Sequence, residues 1–438
     1  MSPVLSGAVA FGCVAMLQFG GGNDYLSAIL AALVSMAAGI VALVSTRSAE
    51  SWLVAARPTL ATCLAMLLLL VCWHVLRVDR QFDTTAFKLE VSLRIGLISV
   101  FTTGMVLARN RRAMEVLCMC LVVMGALWVG AELVAWMVEI DRLPQASPGR
   151  SEKPMRFVGT LGNPNVMGCV LAIFLAMTLA ELLALAGSRT EARFRAREWV
   201  IGAGLIVSLQ IFLAGLLVSQ SRMAMVSGAV AAVGLCVWRR QDIAHFPTRY
   251  RHAALVLGAV NLVPGLALWF AIGDRLVPRL ARLSDDLSGR IELLEYGLHL
   301  SFQRPLFGSG PGTFRQVNEA ELTSQIADHY WNLGAAHNLV IGAAIEEGWI
   351  YVALAVFACG CYMRLLIQRS RVQSFTAREG GMLAAGLVGI SCAMFDIALD
   401  FYAVAALEAL LLGVMAGRAS QAVSHHRAGH RALRGSGY

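Results

Sequence analysis

Charge is what this chain has least of. Charged residues make up 15% of its 438 positions, against about 25% in soluble domains. That excludes an ordinary water-facing globular surface. No cation precedes Arg47, so the N-terminus lacks the basic region of a cleavable signal, and its apolar stretch runs directly into a second one. The ten cysteines, Cys13 to Cys392, all lie inside apolar runs. That excludes a disulfide framework and a cysteine metal cluster as organising features. The spacings of Cys118 with Cys120 and of Cys359 with Cys361 do not fit a CxxC site. No Lys-Ser/Thr pair follows the glycine-rich stretch 308–312, which excludes a Walker loop.

What is abundant is hydrophobicity, at 58% of residues. It falls in runs of about 20 residues, the length that crosses a hydrocarbon core as a helix. Most runs show no polar face, so they do not read as amphipathic core helices. The expected fold is an all-α polytopic membrane protein with about twelve transmembrane helices. Their expected positions are 3–20, 25–45, 58–76, 91–108, 113–139, 166–187, 199–218, 223–238, 253–272, 336–363, 380–397 and 401–417. This divides the chain into nine helices within 1–272, a long outer loop at 273–335 with short interfacial helices, three helices within 336–417 and a tail at 418–438.

The net charge of +8 sits almost entirely on arginines in the gaps between these runs, which argues against a nucleic-acid-binding face. With the N-terminus in the cytoplasm, every loop on that side is cationic, together with the tail. They carry 21 of the 36 Lys and Arg residues, as the positive-inside rule requires. Both termini are then cytoplasmic. The opposite side nevertheless carries Arg142, Arg150, Lys153 and Arg156 in one loop and Arg275, Arg279, Arg282, Arg290, Arg304 and Arg315 in the long one. Long loops translocate regardless of charge, and an anion-binding outer face would also account for them.

Four segments at that outer face could carry chemistry. Gly159-Thr160-Leu161-Gly162-Asn163-Pro164-Asn165 specifies a rigid turn, with Asn165 expected to cap the helix that follows. A plain cap and a helix end facing an anionic ligand are both compatible with it. Ser219-Gln220-Ser221-Arg222 fills a very short turn, and an arginine there either snorkels or is paired. Ser288-Gly289-Arg290 leads into an amphipathic stretch, 291–302, expected to lie on the membrane surface. It is followed by a turn from Arg304 through Gly312. His337-Asn338 stands at the outer end of the helix expected at 336–363, where an imidazole suits general-base work near neutral pH. Glu346 and Glu347 lie deeper on that helix, where ionisable residues are functional or paired, and an inward-pointing arginine is their expected partner.

In this order and these positions, the four segments resemble the O-antigen ligase/polymerase superfamily of bacterial membrane glycosyltransferases. The resemblance implies transfer of a glycan from undecaprenyl diphosphate to an acceptor hydroxyl at the periplasmic face of a Gram-negative inner membrane. Arg222 and Arg290 would hold the diphosphate and His337 would take the acceptor's proton. Arg156, Asn163, Asn165, Asn338 and Arg304 would contribute to substrate binding, with no metal and no cofactor. The single long outer loop resembles the ligases, whose acceptor is lipid A-core. A polymerase, a protein O-oligosaccharyltransferase and, from another class, a lipid-linked oligosaccharide flippase or transporter are the competing readings.

Overall fold

The computed structural model describes residues 3–19, 25–44, 68, 84–142, 156–187, 196–241 and 283–435. Among these residues the fold is entirely helical. The helix expected at 58–76 apart from Leu68, the helix expected at 253–272, and Arg150, Lys153, Arg275, Arg279 and Arg282 lie outside the described residues. The first half contributes α1 (Pro3–Gln18), α2 (Tyr25–Val44), α3 (Thr84–Leu107), α4 (Arg111–Arg142), α5 (Pro164–Gly187), α6 (Ala196–Ser219) and α7 (Arg222–Trp238). The second contributes α8 (Leu283–Gln303), α9 (Phe314–Glu321), α10 (Ala327–Tyr330), α11 (Leu339–Glu346), α12 (Trp349–Val372), α13 (Ala377–Ala393) and α14 (Tyr402–Gly435).

Six stretches are long and apolar enough to cross a membrane: Lys88–Leu107, Arg111–Glu139, Pro164–Gly187, Ala196–Ser219, Trp349–Val372 and Tyr402–His426. Shorter apolar stretches run over Val4–Gln18, Leu26–Ile40 and Arg222–Trp238. The centre of the bundle is α5, with Val166 to Phe174 almost wholly inaccessible. A helix that is apolar all round belongs in such a place. Against it pack α6, α7 and α13, while α14 is buried from Ala403 to Ala419 and packs along α3.

The two ends of the bundle differ in chemistry. At one end Arg378 donates to Glu181 at 2.8 Å and to Glu115 at 2.9 Å, and Arg418 donates to Glu379 at 3.0 Å. Arg369 faces the same Glu379 at 3.4 Å, both side chains being inaccessible. Arg369, Arg378 and Arg418, three of the arginines expected on the cytoplasmic side, are thus paired. At the other end lie the turns at 156–163 and 219–221, and the segment 394–401 between α13 and α14.

Three expectations are corrected. The helix expected at 336–363 is two helices, α11 and α12. Gly348, at φ 88°, turns the chain between them. A Cβ there would strike the Leu306 carbonyl, and one on Gly308 (φ 63°) would strike that of Glu346. The two glycines let the 304–310 turn and the helix break lie backbone against backbone. The stretch 418–435 continues α14 as helix. The last outer boundary moves too, because α13 ends at Ala393, which leaves Asp396 outside the helix in which 380–397 would have placed it.

Candidate active site

The site is built around the short segment Met394-Phe395-Asp396 that follows α13. Asp396 has a side chain only 7% exposed, and four groups converge on it. Asn165 donates from Nδ2 at 2.5 Å and the Ile397 N–H donates at 2.9 Å. Arg290 Nη2 lies 3.5 Å away and His337 Nδ1 3.6 Å away. Arg290 also donates to the Phe395 carbonyl, and Asn338 Nδ2 donates to the Met394 carbonyl at 2.8 Å. Three consecutive residues thereby collect α5, α8 and the start of α11.

Local sequence sets each of these side chains. A single 3-10 turn, Gly159–Leu161, ends at Gly162 in the left-handed conformation. Asn163 then accepts from the N–H groups of Asn165 (2.8 Å) and Val166 (3.3 Å). Pro164 occupies the first helical position, where its missing N–H costs nothing. The cap is therefore Asn163, not the expected Asn165, because proline starts the helix two residues earlier than the expected Val166. That leaves the Asn165 amide to face the site. It accepts from Arg156 at 2.6 Å and donates to Asp396.

Arg156, expected to contribute to substrate binding, is already committed to the protein's own groups. Its guanidinium also donates to the Ser219 carbonyl at 2.9 Å and to that of Gln220 at 3.4 Å. It clamps the first turn onto the second. Gln220 has a positive φ of 52°, and Arg222 opens α7 directly after it, at the same end of the bundle. Arg304 is exposed in the turn after α8 and stands apart from the Asp396 network.

Within α8, Tyr296, Gly297 and Leu300 face the fold. Tyr296 donates to Asn318 at 2.8 Å and stacks on Tyr330, and Gly297 sits against Ile341 of α11. Ile291, Leu294, Leu298 and Phe302 form an exposed apolar stripe on another side, as expected of a surface helix. Arg290 is carried at the boundary of these two sides.

His337 has φ 52°, a left-handed conformation uncommon for a residue with a side chain. Asn338 follows as the cap of α11, accepting from the N–H groups of Val340 and Ile341, each at 3.0 Å. Of the two glutamates, Glu347 pairs with Arg94 of α3, as expected for an inward arginine. Glu346 does not. It accepts from the N–H groups of Gly312 (2.9 Å) and Phe314 (3.0 Å).

Burial by itself would raise the Asp396 carboxyl. The proximity of His337, the hydrogen bond from the Ile397 N–H and the positive charge of Arg290 outweigh it and hold the group below its ordinary value. An ionised carboxylate beside Nδ1 favours the tautomer that leaves Nε2 as the acceptor. At 3.6 Å this contact is longer than a closed hydrogen bond of about 2.7–3.2 Å. Such contacts commonly tighten only once substrate is bound. Among the described residues no group of three or more His, Cys, Asp or Glu is arranged to hold a metal ion.

Asp396 was missed in the sequence. The signal was present, since the rule that singles out Glu346 and Glu347 applies equally to an acidic residue inside a presumed span.

These features define a class: a multi-pass membrane protein with a one-sided polar site of histidine, arginine and carboxylate. Residues 207–358 match the family model described as O-antigen ligase, which bears out the resemblance. No curated protein matches the chain. The matched stretch contains Arg222, Arg290, Arg304, His337 and Asn338, whereas Arg156, Asn163, Asn165 and Asp396 lie outside it. A match to this family points to a membrane enzyme of glycosyltransferase type, with ligase- or polymerase-like activity and lipid-linked glycan and lipid A-core as its general class of partners.

Proposed function

We propose that the protein is an O-antigen ligase, transferring a glycan from undecaprenyl diphosphate to a hydroxyl of lipid A-core at the periplasmic face of the inner membrane. The observation that supports this most is the convergence of His337 and Arg290 on one carboxylate, within 3.6 Å and 3.5 Å. Both residues belong to the family-matched stretch. The acceptor oxygen attacks the anomeric carbon and its proton passes to His337 Nε2. The bond from that carbon to the phosphate oxygen breaks, and the electron pair leaves with the diphosphate. Arg290 and Arg222 stabilise the charge that develops there, for which arginine's planar fork is suited. Asp396 stabilises the imidazolium. Arg156, Asn163 and Asn165 shape the outer turns, Asn338 orients His337, and the exposed Arg304 offers a cation to the anionic donor. No step calls for a metal or a nucleotide.

The test is a lipopolysaccharide gel from a host that makes O-antigen but lacks this protein, complemented with wild type or with His337→Ala. Collapse of the ladder to bare core, with lipid-linked polymer accumulating and no rescue by the inserted variant, is the expected result. Core bearing a single repeat would indicate a polymerase. An unchanged ladder would sink both and favour protein glycosylation or transport.

A further inference from the structure

We infer that Arg94 is a positioning residue for the transfer, acting on His337 through Glu347 and the short helix α11. The inference rests on the reading of His337 as the base. Helix α11 has eight residues, about 12 Å at 1.5 Å per residue, and is too short to bend appreciably. His337 and Asn338 stand at its first end. Glu346 and Glu347 stand at its second. Each end is tied down separately.

At the first end, Asn338 caps the helix and grips the Met394 carbonyl beside Asp396. At the second, the backbone interlocks with the turn after α8. Ser309 donates to the Ile345 carbonyl at 2.9 Å, Gly310 to that of Glu346 at 2.7 Å, and Trp349 to that of Pro305 at 2.7 Å. This lock joins α11 to α8 and α12, but not to the N-terminal helices. Arg94 makes that connection. From α3 it pairs with Glu347, whose side chain is 2% exposed. It also bonds Glu90 at 3.1 Å and the Tyr351 hydroxyl at 3.3 Å. Its guanidinium lies 5.7 Å from the centre of the Tyr351 ring. Arg94 lies outside the family-matched residues; it ties α3 to the second end of α11, as Asn165 ties α5 to Asp396 near the first.

A buried carboxylate stripped of its cation is strongly unfavourable. Without Arg94, Glu347 is relieved by moving outward, and α11 carries that displacement to the His337–Asp396 contact. A misplacement of about 1 Å can cost on the order of 100-fold in rate.

The experiment uses the full-length protein in proteoliposomes, with lipid-linked glycan as donor and lipid A-core as acceptor. Arg94→Gln, Arg94→Lys, Glu347→Gln and the Arg94→Gln/Glu347→Gln double variant are compared with His337→Ala. Rates are taken per folded, inserted molecule. Arg94→Gln is expected to lower kcat by about 10- to 100-fold with donor KM within about 3-fold. The double variant is expected to recover part of that loss, because the uncompensated charge is gone. Arg94→Lys keeps the charge but loses the fork, and should lose about 3- to 10-fold. It carries the test if Arg94→Gln fails to insert. Unchanged kcat, or a rise in KM alone, overturns the inference. If Arg94→Gln is silent while His337→Ala is inactive, only the positioning role falls. If His337→Ala still transfers, the base reading falls and the positioning role with it.

Discussion

Replacing Asp396 by asparagine removes one charge and almost no volume, which isolates the electrostatic part of the site. At 3.6 Å from His337 Nδ1, an effective dielectric of about 20 gives ~4.6 kcal/mol between the carboxylate and an imidazolium. The His337 side chain is 32% exposed, and solvent screening reduces this to about half, ~2 kcal/mol. At 1.36 kcal/mol per decade, that is about a 30-fold loss in kcat. Asp396→Asn also removes an acceptor oxygen from a site that uses one for Asn165 and the other for Ile397. The loss in kcat should therefore be at least this large. Donor KM should move less than about 3-fold, because Arg290 keeps its bond to the Phe395 carbonyl. The assay is steady-state transfer in proteoliposomes with donor and acceptor varied separately. A kcat within about 3-fold of wild type would refute the stabilisation of His337 by Asp396. The same variant has a thermal signature. The Asp396 carboxyl is held below its ordinary value of 3.8, so its stabilising share is complete above that pH and is lost as pH falls through the lower folded value. The melting-temperature gap between wild type and Asp396→Asn should be flat over about pH 5 to 8 and close on stronger acidification.

Arg290→Lys should lower kcat by at least about 10-fold, because a point charge cannot serve Asp396, the Phe395 carbonyl and a phosphate together; wild-type kinetics would remove Arg290 from the diphosphate site. Transfer should survive exhaustive chelation, and loss that an added divalent ion restores would reveal a metal requirement. Gly348→Ala should destabilise the protein by ~2 kcal/mol or more, from its positive φ and the Leu306 carbonyl in its path. Gly342→Ala, which meets only ordinary contacts, should stay within about 0.5 kcal/mol in the same detergent melt. Glu181→Gln should cost only about 1 kcal/mol, because Arg378 is partly exposed and keeps Glu115 at 2.9 Å, while kcat per folded molecule stays unchanged; a selective loss of kcat would mean that the two ends of the bundle are coupled.

Hydropathy alone determined the membrane class and the position of most described helices, because a span must satisfy its own backbone and exclude charge over about 20 residues. It determined too that Arg222, Arg290 and His337 belong to one end, since turns between spans fall on one side or the other. It could not find the break at Gly348, because both sides of it are apolar and the break is stabilised by the 304–310 turn, which is distant in sequence. The cap at Asn163 turned on which of two neighbouring asparagines proline leaves outside the helix, a matter of backbone geometry. Asp396 and Arg94 were visible as ionisable residues in apolar runs, but their roles depend on partners 59 to 253 positions away. Composition fixes what a membrane will accept; only the packing of α3, α5, α8, α11 and α13 decides which charges meet, because a buried charge is defined by the partner that the fold brings to it.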